Sequence, residues 1–279
     1  MIYLVLAIVS SACVSIFMRL SEHYIKSEMA MFLANYGICT VLAFIFMEYT
    51  LGETLSQGGA VILGLGLTTG ALYLGGFMLL KYNMKHNGIV LSSTFMKLGV
   101  LIPTLMAVVI FGEMPEALQI LGIILALAAI VVIQFEKESI KEGNKKLWLL
   151  LVLIGSGMAD AMSNIYEQVG PPGGKDGFLL ITFGTALLLT CAIMLIGKMQ
   201  FGKADLLFGM LIGIPNYFSA RFLLLALGSV DAVIAYPVYS VATLITITLV
   251  GLLCFHEKLS RKKAVALVMI VAALCLLNM

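Results

Sequence analysis

The sequence predicts an all-α polytopic membrane protein of ten transmembrane helices, built as two inverted five-helix repeats. Three observations predict it. The 279 residues are 61% hydrophobic and 11% charged, whereas an ordinary soluble domain carries about 25% charged residues. The apolar residues fall in successive runs of roughly 20, the length a ~30 Å hydrocarbon layer demands of a spanning helix. The second half of the chain also echoes the first.

Hydropathy read against breakers places helices at 1–18, 29–49, 60–81, 88–112, 116–134, 147–167, 177–197, 206–227, 230–254 and 261–278. The first run, MIYLVLAIVSSACVSIF, has no basic segment ahead of it and reads as a membrane helix rather than a cleaved signal. The longest polar interruption, FEKESIKEGNKK at 135–146, is the one convincing linker. It separates a first repeat, 1–134, from a second, 147–279. Cys13, Cys39, Cys191, Cys254 and Cys275 lie in apolar runs without the paired spacings of zinc or redox sites, and read as small packing residues. No metal and no cofactor is expected.

Shifted by 144, the segment at 110–133 lies over 254–277, matching Phe111 with Phe255, Glu113 with Glu257, and Ala128 and Ala129 with Ala272 and Ala273. Shifted by 145, GFMLLK at 76–81 lies over RFLLLA at 221–226. The nearly constant register supports a repeat. Five helices are an odd number, so a second copy enters the bilayer from the opposite face. Such inverted repeats carry a site near the midplane that opens to each side in turn.

Lys and Arg set the orientation, because short cytoplasmic loops are enriched in them. Alternate loops hold Arg19 and Lys26; Lys81 and Lys85; Lys137, Lys141, Lys145 and Lys146; Lys198 and Lys203; and Lys258, Arg261, Lys262 and Lys263. The opposite side holds Lys175 alone. The five basic loops are therefore expected in the cytoplasm and both termini outside it. With basic residues at helix ends rather than along one face, the net charge of +2 gives no nucleic-acid signature.

The segment VLIPTLMAVVIFGEMPEALQILGIILALAAIVVI at 100–133 has a proline-bearing helix, Gly-Glu at the helix end and a helix rich in small residues. It resembles the drug/metabolite transporter superfamily, in its ten-helix, EamA-like form. YPVYSVATLITITLVGLLCFHEKLSRKKAVALVMIVAALCLL at 236–277 looks like that family's second signature. The resemblance implies a central cavity lined mainly by the first, third, fourth, sixth, eighth and ninth helices, and a substrate among amino acids, sugars, nucleobases, drugs and other metabolites. One departure stands out. Many members carry a basic loop after the second helix, but here that loop is YTLGETLSQGG, without Lys or Arg.

A charge inside the bilayer costs several kcal/mol by insertion scales, about 2.5–3.5, so an intramembrane ion is a functional candidate. Lys97 lies nine residues into its predicted helix, Asp160 thirteen and Arg221 fifteen, at depths of about 14, 20 and 23 Å. The matching depths of the last two predict an Asp160–Arg221 ion pair, which leaves Lys97 the less compensated charge. Ser156, Asp160 and Asn164 recur at i, i+4 and i+8, a polar stripe on one helix face. Asn216 and Tyr217 follow Pro215, and Tyr236 and Tyr239 flank Pro237; a proline frees a carbonyl and favours irregular backbone beside a cavity. Tyr73 and Asn35 complete the candidate substrate-binding set. Gly66 and Gly70 form a GxxxG pair suited to close helix packing. Glu113 and Glu257 read as repeat-specific helix ends and Glu167 as a solvated terminus, while His23, His86 and His256 sit in or beside the basic loops.

These features point to a secondary transporter of the inner or plasma membrane moving a small metabolite by alternating access. Lys97 and Arg221 together outnumber Asp160, favouring an amino acid, organic anion or similar polar solute. The alternative is a proton-coupled exporter of hydrophobic or cationic drugs, with Asp160 binding drug and proton in turn; a neighbouring Arg221 argues against it. An intramembrane lipid-modifying enzyme is disfavoured, since there is no HExxH motif, no membrane histidine and no second acid beside Asp160. No residue is assigned a catalytic role. The expected partners are the solute, the bilayer and a coupling ion, proton or sodium. One chain holds both repeats, so a monomer suffices and a homodimer is also open.

Overall fold

A computed structural model describes residues 1–47, 51–56, 58–87, 89–134, 146–254 and 261–277. Every regular element among them is helical: α1 (Ile2–Ser21), α2 (Glu28–Ile45), α3 (Leu51–Ser56), α4 (Gly59–Asn87), α5 (Ile89–Leu98), α6 (Leu101–Val109), α7 (Ala117–Gln134), α8 (Lys146–Val169), a 3-10 turn (Pro172–Gly174), α9 (Lys175–Ile196), α10 (Lys203–Leu227), α11 (Ala232–Cys254) and α12 (Arg261–Leu277). Seven of them, α1, α2, α4 and α8 to α11, are long and apolar enough to cross a membrane. Shorter apolar helical runs cover Phe95–Val109, Ala117–Val132 and Ala264–Leu277. The protein is an all-α, multi-pass membrane protein of ten apolar helical segments. Most of the linker, with Lys137, Lys141 and Lys145, and the run holding Phe255, His256, Glu257 and Lys258, lie outside the described residues.

The helix expected over 88–112 is broken. Pro103 has no N–H to give the Gly99 carbonyl, and the backbone tightens instead: Gly99 N–H bonds to Met96 O at 3.1 Å and Ile102 N–H to Gly99 O at 2.9 Å. These are i to i+3 bonds, and they separate α5 from α6. At the far end of α6, Gly112 takes a φ of +70°, a left-handed conformation open to glycine, and Glu113 N–H returns to Ala107 O at 3.0 Å. The Gly-Glu pair therefore stops the helix and aims the Glu113 side chain elsewhere. The short α3 has too few residues to register as an apolar period and was not foreseen.

Packing groups the helices into two compact units, each taking elements from before and after the linker. Unit 1 is Met1–Leu74 with Ile165–Gly228, and unit 2 is Gly75–Asn164 with Ser229–Met279. Within unit 1, α10 packs on α1 and α2, and α2 on α9. Small residues make these approaches possible. A Cβ on Gly213 would stand 2.8 Å from Asn35 O, and one on Gly209 would collide with Met31 O. The expected GxxxG pair works likewise: a Cβ on Gly66 would stand 2.7 Å from the Ile181 side chain, and one on Gly70 would strike Thr182 O. Within unit 2, α7 packs on α12, α6 on α11, and α5 on α7. Of the five cysteines only Cys39 is fully buried; Cys254 and Cys275 are exposed on the apolar surface, where they fill no core.

Candidate functional site

In unit 2, Lys97 lies in the last turn of α5, just before the break, and Asp160 sits on α8, which passes beside it. The hydroxyl of Ser156 donates to Met96 O at 3.0 Å and to Leu153 O at 3.2 Å, binding α8 to the broken turn. Gly99 and Gly157 allow that approach, since a Cβ on Gly157 would meet Ile102 at 2.5 Å. Lys97 follows Met96 on α5, Asp160 lies one turn beyond Ser156 on α8, and each is half-buried. Tyr236, 1% exposed on α11, donates its hydroxyl to the Asp160 carbonyl at 2.7 Å. Tyr239 lies half-buried one turn along α11. Asn164 is buried one turn beyond Asp160 on α8.

Of the expected Asp160–Arg221 pair, Asp160 falls in unit 2 and Arg221 finds a partner within its own unit. Arg221 belongs to unit 1, where Nη2 lies 3.2 Å from Asp176 Oδ1. Its Nη1 donates to Tyr217 OH at 3.1 Å, and its guanidinium stands 5.0 Å from the Phe46 ring centroid. Depth counted from a helix start left Asp176 out, because it ignored the other end of α10. Arg221 is six residues from the C-terminal end of α10, about 9 Å, and is matched by the acid in the first turn of α9.

The remaining unit 1 candidates also bond to one another. Asn216 Nδ2 donates to Asn35 Oδ1 at 3.2 Å, and the Cys39 thiol donates to Gly213 O at 3.3 Å. Tyr217 is fully buried, with its ring 6.3 Å from Phe183, whose ring is 6.1 Å from Tyr73. Glu167, expected to be solvated, forms an ion pair with Lys175 at 2.5 Å. Thus the structure joins Lys97, Asp160 and Tyr236 in one unit, and Arg221, Tyr217, Asn216 and Asn35 in the other.

Three acids carry roles that sequence reading missed or left general. Asp176 holds Arg221. Asp205, fully buried, accepts Lys26 N–H at 2.7 Å and Gly202 N–H at 2.9 Å, fastening the α1–α2 loop to the start of α10. The signal available was an acid three residues past a glycine at a helix start. Glu113, read only as a helix end, accepts Val233 N–H at 2.8 Å and so caps α11. Burial pushes the Glu113 carboxyl above the usual carboxylate range; the Val233 amide opposes that rise and Asp231 adds to it.

Known proteins give the arrangement its context. Residues 1–135 match the EamA-like transporter family, and residues 177–270 match the Small Multidrug Resistance protein family. The two matches, one in each half of the chain, support the drug/metabolite transporter superfamily. An uncharacterized protein of Haemophilus influenzae is 23% identical to this transporter over 274 residues, covering 92% of this chain and 91% of its own. A protein crystal structure shares the fold, with a TM-score of 0.75 at 14% identity, covering 99% of this chain and 94% of that one. As a drug/metabolite transporter, the protein is a multi-pass membrane transporter whose partners are a small-molecule substrate and the lipid bilayer. Both matched families are transporters rather than enzymes.

Proposed function

We propose that this drug/metabolite transporter is a secondary active carrier that moves a small zwitterionic metabolite, foremost an amino acid, across the inner or plasma membrane by alternating access. The observation that carries this reading is the Ser156–Met96 bond at 3.0 Å, which holds the α8 face bearing Asp160 against the end of α5 bearing Lys97, at the break between α5 and α6. Irregular backbone inside an apolar segment is tolerated where it is buried in protein or lines a wet cavity. A cation and an anion together suit a solute bearing both charges: its ammonium on Asp160, its carboxylate on Lys97. Because Arg221 is engaged by Asp176, the cationic excess that favoured a simple organic anion is gone, and the balanced pair favours the zwitterion.

Alternating access follows from the inverted five-helix repeats, 1–134 and 147–279. The EamA-like match ends at residue 135, where the linker begins, which supports that division. The basic loops support cytoplasmic placement of the linker, with both termini outside. A proton or a sodium ion drives the cycle. One chain suffices for the cycle.

A second reading, a proton-coupled exporter of cationic drugs, is favoured by the Small Multidrug Resistance match over 177–270. Asp160 lies outside that segment, and Lys97 beside it repels a cationic drug. Thermal stability of the purified protein against amino acids, organic anions and cationic drugs separates the two readings, since a ligand that binds the folded state raises the melting temperature. Amino acids should stabilise the wild type and fail to stabilise folded Lys97→Ala or Asp160→Asn. Stabilisation by cationic drugs alone, undiminished in Lys97→Ala, would replace this reading with the second.

A further inference from the structure

Asn164 is 1% exposed, and its Nδ2 donor has no hydrogen-bond partner among the described residues. It continues the Ser156–Asp160 face of α8 by one turn. A buried donor left unpaired costs about 1–3 kcal/mol, so an apolar residue would serve packing better. The neighbouring polar groups are otherwise engaged: Ser156 with the Met96 and Leu153 carbonyls, and Tyr236 with the Asp160 carbonyl.

We propose that Asn164 keeps its amide donor for the solute, binding an oxygen of a carboxylate or carboxamide whose attached ammonium lies on Asp160. The inference rests on the zwitterion reading above and sharpens it. An α-amino acid carries ammonium and carboxyl on one carbon, compact enough to bridge side chains one helical turn, about 5.4 Å, apart. Lys97 supplies charge to the same carboxylate, whereas Asn164 supplies direction and also accepts an uncharged amide. A simple amine leaves Asn164 unpaired and is bound more weakly, because a site built to hydrogen-bond a group discriminates against an analogue lacking it.

The test uses the purified full chain in detergent and three probe sets: the twenty proteinogenic amino acids, their carboxamides and the corresponding decarboxylated amines. Melting temperature and affinity are measured for the wild type, Asn164→Leu, Asn164→Ser and Asp160→Asn. Without ligand, Asn164→Leu should melt at or above the wild type, because an unpaired donor has been removed. Its affinity for the amino acids and amides that stabilise the wild type should fall about ten-fold or more, while its weaker affinity for the amines stays unchanged. Asn164→Ser, which keeps a shorter donor, should fall between. If Asn164→Leu does not fold, Asn164→Ser decides: weakened binding at an unchanged melting temperature supports the proposal, and a lowered melting temperature overturns it. A folded Asn164→Leu that melts well below the wild type also overturns it, by showing a structural donor. If amino acids bind wild type and Asn164→Leu equally but not Asp160→Asn, Asn164 is excluded and the zwitterion reading stands. If no probe binds the wild type, both fail together.

Discussion

In unit 1, Arg221 rests on Asp176 and Tyr217, Asn216 on Asn35, Lys175 on Glu167, and Asp205 on two backbone amides. In unit 2, a lysine and an aspartate gather beside a helix break, one turn from a buried amide with an unpaired donor. Both units put polar groups into an apolar chain, and they do so to different ends. A polar group in hydrocarbon must find a partner. Where the protein supplies the partner the contact holds helices together, and where it does not the vacancy can be filled by a solute. On the reading proposed above, Arg221, Asn216 and Asn35, each with a protein partner, act as fasteners, and Asn164, with its unpaired donor, joins Lys97 and Asp160 at the proposed site.

Substitutions can break this division. Asp160→Asn or Lys97→Met should have the largest effect on function, lowering uptake into proteoliposomes by about 100-fold or more, in keeping with the loss of a charge-assisted contact of about 1.5–3 kcal/mol plus the isolated charge left behind. Uptake that survives either change would return the pair to a structural role. Arg221→Met should act on stability instead, costing about 3 kcal/mol by stranding the Asp176 carboxylate, with transport retained in the folded fraction; chemical denaturation in mixed micelles measures it. Gly213→Ala should cost about 1–3 kcal/mol, because its new Cβ would press on Asn35 O and the Ile38 side chain. A melting temperature equal to wild type would mean that the α2–α10 contact gives way without strain.

The smallest effect concerns Glu113. Its carboxyl titrates above the ordinary value of 4.5 because burial disfavours the charged form. The folded state therefore binds that proton more tightly than the unfolded state. Its stabilising contribution is fully present below the ordinary glutamate range and is lost as the pH rises through the raised value. Glu113→Gln, neutral throughout, should match the wild type at low pH and gain on it as the pH rises. A melting-temperature difference that stays flat with pH, or runs the other way, would show that the helix-capping bonds outweigh burial.

Much of this was legible because lipid imposes simple rules. The apolar runs give α1, α2 and α8 to α11 to within a few residues. GxxxG finds the α4–α9 contact, and the i, i+4, i+8 stripe finds the polar face of α8 whose Ser156 meets the end of α5. The break inside 88–112 was half legible: Pro103 announced an irregularity, but a continuous apolar run concealed where the backbone would yield. Ion-pair partners were not legible. Depth along a single helix cannot say which neighbour shares its level, so Asp176, one residue ahead of the helix expected over 177–197, was not matched to Arg221. Burial of Asp205 and Glu113 was hidden for a related reason, since acids at helix ends look solvated until the element they cap is known.

The most direct test of the account is accumulation of amino acids in proteoliposomes, compared in Asp160→Asn and Arg221→Met reconstituted to the same folded amount. The account predicts accumulation lost in Asp160→Asn and kept in Arg221→Met. Accumulation kept in Asp160→Asn and lost in Arg221→Met would contradict it, placing the solute among the ion pairs of unit 1.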